Sequence, residues 1–366
     1  MWLLLIGGLA VLVVGAELLV RGASRLAGAF GIPPLVIGLT VVAYGTSTPE
    51  MAVSLGAVWK NQPDLVMGNA VGSTTFNVLF ILGLCALMKP LTVAAQLVRV
   101  DVPIMIGTAL LLLALGVDGV ISRWDGLMLV AGIVAYTGFV IWQSRRESAA
   151  VKQEYAQEFG APKRGRQFGV SVGLIVAGLG LCVLGARWSV DGAVQLARSF
   201  GVSELVIGLT VVAAGTSMPE VVTSLVATYR GQRDIAIGNV VGSNIYNVLA
   251  IVGVSGLVAP DGVAVARSVL TFDLPVAIAV SVACLPIFFT GHSISRWEGG
   301  VFLGYYVAYT AYVALAAQQH DALPAFSAVM EWFVLPLTVV TLAVVTWRAL
   351  KARKQGTELV GTDQVG

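Results

Sequence analysis

At 366 residues, 57% of them hydrophobic and only 11% charged, the chain carries about half the charge of a soluble globular domain, and apolar runs of about 20 residues recur along it. A net charge of +2, with its basic residues in short clusters between apolar runs, offers no extended surface for nucleic acid. The chain is therefore expected to sit in a lipid bilayer, with the basic clusters setting its orientation.

The first apolar segment, residues 1–21, has no basic stretch ahead of it and carries Glu17 and Arg21, which reads as a first span rather than a cleaved signal. Charged, Pro and Gly-rich breaks then give eleven candidate helices, centred near residues 11, 45, 77, 108, 133, 178, 217, 246, 279, 308 and 339. One clearly polar stretch, residues 143–167, separates five spans from six. With the N-terminus outside, 17 of the 22 Lys and Arg fall on the cytoplasmic side, among them Arg21, Lys89, Arg230, Arg233 and Arg296. Lys60, Arg123, Arg187, Arg198 and Arg267 fall opposite, and the C-terminal tail is then cytoplasmic. Cys85, Cys182 and Cys284 lie inside apolar runs without ligand or disulfide spacing and are expected to be buried small side chains. Glu17 and Arg187 hold equivalent positions and suggest contacts between helices, whereas His292 and His320 fall in predicted loops and read as solvated.

At a constant offset of 170, residues 31–79 match residues 201–249 at 28 of 49 positions. Asp101-Val102-Pro103 recurs as Asp273-Leu274-Pro275, and Ser122-Arg123-Trp124-Asp125-Gly126 as Ser295-Arg296-Trp297-Glu298-Gly299. Each half is thus a five-span unit, and an odd number of spans turns the second copy upside down. The expected fold is an all-α integral membrane protein of two inverted five-helix repeats, residues 1–143 and 168–320. A cytoplasmic loop, residues 144–167, joins them, and residues 321–366 add an extra C-terminal transmembrane helix and a tail. Asp101 and Asp273, each close before a Pro, read as helix-initiating residues.

Each repeat places a carboxylate in mid-span, where it costs several kcal/mol unless compensated: Gly45-Thr46-Ser47-Thr48-Pro49-Glu50 and Gly215-Thr216-Ser217-Met218-Pro219-Glu220. Pro49 and Pro219 lack an amide donor and displace the carbonyl four residues back, so a helix break with freed backbone oxygens is expected beside each Glu. The hydroxyls of Thr46, Ser47, Thr216 and Ser217 add to these, and carboxylate, hydroxyl and carbonyl oxygens are the donors hard cations prefer. A second segment follows in each copy, Gly68-Asn69-Ala70-Val71-Gly72-Ser73-Thr74-Thr75-Phe76-Asn77 and Gly238-Asn239-Val240-Val241-Gly242-Ser243-Asn244-Ile245-Tyr246-Asn247. Ser73 with Asn77, and Ser243 with Asn247, share a helix face and can turn oxygens toward the same ion. Gly72 and Gly242 would let helices approach closely, and Asn69 and Asn239 read as caps or bridges. Any one Ser, Thr or Asn here has an ordinary structural use; two symmetry-related intramembrane carboxylates beside helix breaks do not.

These paired motifs resemble the sodium/calcium exchanger family, within the wider cation/calcium antiporter superfamily, over about residues 1–320. The resemblance implies a ten-helix core in which Glu50 and Glu220 bind Ca²⁺, helped by backbone oxygens of Thr46 and Thr216. It implies Na⁺ sites flanking these, built from the side chains of Ser47, Ser217, Ser73, Ser243, Asn77 and Asn247 and the carbonyls of Ala43 and Ala213. Potassium-dependent relatives carry Asp where Asn247 stands, so no K⁺ requirement is expected. Thr74 departs from its counterpart Asn244.

The expected activity is Na⁺/Ca²⁺ antiport by alternating access in a bacterial inner membrane, without enzymatic chemistry or a cofactor; Ca²⁺ and Na⁺ are substrates, the bilayer is the setting and nucleic acid is no partner. A proton/calcium antiporter is the near alternative, a cation channel a remote one. The sequence carries no Gly-x-Gly-Asp, His-Glu-x-x-His or Gly-x-Ser-x-Gly motif that would favour an intramembrane hydrolase.

Overall fold

The computed structural model describes residues 1–30, 32–62, 64–146, 164–200, 213–317 and 323–336, with 338–340, 343 and 347. Apolar sequence that can satisfy its backbone only internally becomes helix, and eight helices among these residues are long and apolar enough to cross a bilayer. They are α1 (Trp2–Phe30), α4 (Leu65–Met88), α5 (Leu97–Gly116), α6 (Arg123–Arg146), α7 (Arg164–Ser199), α10 (Arg233–Val258), α11 (Val269–Phe289) and α12 (Arg296–Ala317). α6 runs three residues and α7 four residues into the predicted loop, toward each other. Large apolar side chains such as Leu3, Ile6, Val134, Val176 and Val307 face outward, while Glu50, Glu220, Asn77 and Asn247 are buried. Apolar outside and polar inside is the pattern of a multi-pass membrane protein. All three cysteines are free and buried, as expected.

The two spans predicted near residues 45 and 217 are interrupted. The first is α2 (Pro34–Thr46) followed by α3 (Thr48–Trp59), and the second is α8 (Ala213–Thr216) followed by α9 (Met218–Tyr229). Ser47 (φ −81°, ψ 9°) and Ser217 (φ −88°, ψ 7°) form the junctions, each two residues before the proline that removes a helical donor. The Ser47 amide still bonds the Ala43 carbonyl at 3.0 Å and its carbonyl accepts from Met51 at 3.1 Å, so each break is a one-residue pivot rather than an unwound stretch.

Wide π turns occur in matched pairs, Asn77–Leu82 with Asn247–Val252 inside α4 and α10, and Leu97–Asp101 with Val269–Asp273 at the starts of α5 and α11. Asp101 and Asp273 are not helix-initiating residues. Both have helical backbone, at φ −73° and φ −63°, and make no capping bond. Their carboxylates are used laterally instead: Tyr136 donates to Asp101 at 3.1 Å and Tyr309 to Asp273 at 2.9 Å. Side-chain capping is found instead at the starts of α6 and α12, where Ser122 bonds Asp125 and Ser295 bonds Glu298 through backbone and side chain alike, at 2.6–2.9 Å.

Four two-residue strands, absent from the sequence reading, clasp the two ends. β1 (Leu91–Thr92) pairs antiparallel with β4 (Ser293–Ile294), and β2 (Val120–Ile121) with β3 (Val263–Ala264). Each clasp joins one strand from the first half of the chain to one from the second. Val93 extends one by donating to the His292 carbonyl at 2.8 Å, and Val265 the other by donating to Gly119 at 2.8 Å. His292 is therefore half-buried in a clasp turn rather than in open solvent; His320 lies outside the described residues. Near β1, Arg233 bonds Thr92 at 3.1 Å. Glu17 joins Arg21 to Arg230, accepting from Arg230 Nε at 3.0 Å, so the inter-helix role read for Glu17 holds.

α1 and α7 pack along their whole length. A Cβ at Gly185 would lie 2.5 Å from the Leu12 amide nitrogen, and one at Gly178 2.6 Å from that of Leu19, so backbone runs against backbone. Gly242 likewise sits 2.5 Å, by its missing Cβ, from the Leu39 carbonyl of α2; Gly72 has no such contact among the described residues. Of the predicted eleventh span, Leu323–Val329 (α13) and the π turn Met330–Val334 are described, and Tyr305 of α12 bonds Thr338 beyond them.

Candidate cation site

Glu50 and Glu220 fall in the first turn of α3 and α9, immediately after each pivot. Each is 1% exposed. The pivots place Ser47 and Ser217 so that each serves the other half's carboxylate: Ser47 Oγ donates to Glu220 Oε1 at 2.9 Å, and Ser217 Oγ to Glu50 Oε1 at 2.8 Å. Ser217 Oγ also lies 3.3 Å from Ser73 Oγ, which brings α4 into the same cluster. Ser243 Oγ reaches the Ala43 carbonyl at 3.5 Å, linking α10 to α2.

Asn77 and Asn247 each open a π turn, a wide turn frequent at functional sites. The Asn247 turn packs against α3, which bears Glu50, and the Asn77 turn against α9, which bears Glu220. Ser73, Ser243, Asn77, Asn247, Thr46, Ser47 and Ser217 are all at most 6% exposed. Ala213 and Thr216 form α8, one turn before Glu220.

Asn69 and Asn239 are bridges, and the structure gives their partners. Asn69 Nδ2 donates to Ser54 Oγ at 2.9 Å and to the Glu50 carbonyl at 3.1 Å. Asn239 Nδ2 donates to Ser224 Oγ at 3.0 Å and to the Glu220 carbonyl at 3.4 Å, and its Oδ1 lies 3.0 Å from Thr46 Oγ1. Ser54 and Ser224 were not singled out in the sequence. Their signal was present, because each lies four residues after its Glu and so on the same helix face.

Four oxygens in this cluster are buried and accept no hydrogen bond: Glu50 Oε2, Glu220 Oε2, Asn77 Oδ1 and Asn247 Oδ1. Burying a polar acceptor without a donor costs about 1–3 kcal/mol, more when it is charged, and these four symmetry-matched acceptors are of the kind a cation can satisfy. No group of three or more His, Cys, Asp or Glu occurs among the described residues. The donors are therefore two carboxylates plus neutral hydroxyl, amide and carbonyl oxygens, the chemistry of Ca²⁺ or Na⁺ rather than of a thiolate- or imidazole-bound metal.

A family model described as sodium/calcium exchanger protein matches residues 1–142 and 170–315, both halves of the chain. The chain belongs to this family. It is thus a cation/calcium antiporter by family, and that family is one of transporters. Among sodium/calcium exchanger relatives and other curated proteins, the inner membrane protein YrbG of Escherichia coli (strain K12) is 40% identical over 259 residues, covering 70% of this chain and 79% of that one. The sodium/calcium exchanger MaX1 of Methanosarcina acetivorans is 33% identical over 344 residues, covering 84% and 97%. The solved structure of the sodium-calcium exchanger NCX_Mj soaked with 10 mM Na⁺ and 10 mM Sr²⁺ superposes with a TM-score of 0.73 at 30% identity, covering 85% of this chain and 99% of that one. The chain therefore has the exchanger fold.

Proposed function

We propose that the protein exchanges Na⁺ for Ca²⁺ across a bacterial inner membrane by alternating access, with Glu50 and Glu220 as the shared centre of overlapping ion sites. The observation that carries this reading is the set of four buried acceptors without donors, two carboxylate and two carboxamide oxygens. In this reading Ca²⁺ binds both carboxylates and the backbone oxygens of Thr46 and Thr216. Na⁺ binds at the flanks, to Ser47, Ser217, Ser73, Ser243, Asn77 and Asn247 and the carbonyls of Ala43 and Ala213. The neutral carboxamide of Asn247 leaves no third carboxylate to hold K⁺ as well.

Two carboxylates balance one Ca²⁺ or two Na⁺; a third Na⁺ would move one net charge per cycle, worth about 2.3 kcal/mol per 100 mV. The emptied site keeps two uncompensated negative charges in a low-dielectric interior, which opposes its crossing unloaded and couples the two fluxes.

Residues 1–143 and 168–320 are assigned as inverted repeats, joined by a loop at 144–167, with residues 321–366 outside the core. The matched π turns and the reciprocal clasps support this, since β1 and β3 hold equivalent positions, as do β2 and β4, and each pairs with the other kind. Arg21, Arg230 and Arg233 gather at the end that holds the β1–β4 clasp and Arg123 at the other, in accord with a cytoplasmic assignment for the former.

Labelled Ca²⁺ uptake into proteoliposomes tests the proposal. Uptake driven by an outward Na⁺ gradient, insensitive to K⁺ and lost in both Glu50→Gln and Glu220→Gln, is expected. Uptake that follows a pH gradient with Na⁺ equal on both sides would mark a proton/calcium antiporter instead.

A further inference from the structure

The two copies of the second motif differ at four of ten positions, and at one of these an amide faces a hydroxyl: the first has Thr74 and the second Asn244. Asn244 is 1% exposed and makes two bonds with opposite polarity. Its Nδ2 donates to the backbone carbonyl of Thr74 at 3.4 Å and lies 3.5 Å from Met105 Sδ. A carbonyl only accepts, so this contact fixes which way the Asn244 carboxamide points. Its Oδ1 must then face the other way, and there it accepts from Asn77 Nδ2 at 3.0 Å. The nitrogen of Asn77 is thereby occupied, and the Asn77 Oδ1, buried and without a donor, is the atom left for an ion.

Nothing equivalent acts on the other flank. Thr74, in the place of Asn244, turns its hydroxyl back to the Ala70 carbonyl at 2.9 Å. Among the described residues no hydrogen bond fixes the Asn247 carboxamide, which can present either its oxygen or its N–H₂ to the site. The wrong face repels a cation, and choosing the right one on binding costs free energy that a preset group has already expended in folding.

We propose that Asn244 is a positioning residue that presets Asn77 as an oxygen donor, so that the two flanks bind Na⁺ unequally, the Asn77 flank more tightly. This rests on the reading of Asn77 as an ion ligand given above.

The test is the Na⁺ dependence of Ca²⁺ uptake in proteoliposomes. Asn244→Ala is expected to raise the Na⁺ concentration for half-maximal exchange by roughly fivefold, the factor that matches a typical net hydrogen bond. Because it acts through Asn77, it should add little in an Asn77→Ala background. No rise in the single variant, or the same rise in both backgrounds, overturns the proposal; a purely structural role predicts that second result. If Asn244→Ala does not insert stably, Thr74→Asn decides. That change deletes nothing near the ions and supplies the missing relay to Asn247, so half-maximal Na⁺ should fall; an unchanged value overturns the proposal. Exchange that survives Glu50→Gln and Glu220→Gln would instead remove the underlying site reading.

Discussion

Ser217 hydrogen-bonds Glu50 at 2.8 Å, so the pivot of one broken helix holds the carboxylate of the other. The bond is buried and its acceptor is a carboxylate when ionised, a class worth about 1.5–3 kcal/mol. Ser217→Ala should therefore weaken Ca²⁺ binding by about 10- to 100-fold, measured as half-maximal Ca²⁺ in exchange. Ser47→Ala, which strips the matching bond from Glu220, should do the same within a factor of a few.

Ion binding should also show in stability. Two buried carboxylates with open oxygens oppose folding until a cation meets them, and a ligand at 100 times its Kd stabilises by about 2.7 kcal/mol. Thermal unfolding in detergent should move upward with Ca²⁺ in the wild type and stay still in Glu50→Gln. An equal Ca²⁺ shift in both would place the ion elsewhere.

Asn239 should matter more to stability than Asn69. Both tie a Glu-bearing helix through a serine and the Glu carbonyl, but Asn239 also accepts from Thr46. Alanine at either position leaves a serine hydroxyl and a Glu carbonyl short of a partner, each costing about 1–3 kcal/mol. Thr46 keeps the Val42 carbonyl at 3.1 Å, but Asn239 is fully buried where Asn69 is half-buried, so water makes up less of the loss at Asn239. Unfolding midpoints of the two variants, compared side by side, check the order.

The α1–α7 seam gives a matched pair of substitutions. Gly185→Ala forces a methyl against the Leu12 backbone, and overpacking of that kind costs about 1–3 kcal/mol. Gly180→Ala, on the same helix, meets nothing within 4 Å, and should be neutral or stabilising by up to about 1 kcal/mol. Equal effects in unfolding assays would argue against close backbone contact along the seam.

Much of this was legible in sequence because it repeats. Glu50, Glu220, Ser47 and Ser217 stand out as polar groups in apolar runs, and their duplication at a fixed offset separates them from accidental kinks. The pivots were legible through Pro49 and Pro219, although only one residue leaves the helix at each. What failed was read too locally. Asp101 and Asp273 near a Pro looked like helix starts, and only the fold reveals Tyr136 and Tyr309, 35 and 36 residues on, as their partners. Which atom of the Asn77 carboxamide is left without a hydrogen bond depends on a backbone carbonyl in its own helix acting through a residue 167 positions away. The clasp strands, at two residues each, are too short to leave a periodic signal.

Those clasps bear on how the chain can be divided. Because β1 pairs with β4 and β2 with β3, the covalent link between the halves is not what registers them at either end. Two separate polypeptides cut between residues 147 and 163, made together in one cell, would still carry complementary edges at both ends, and an exchanger assembled from two gene products is a form this architecture admits.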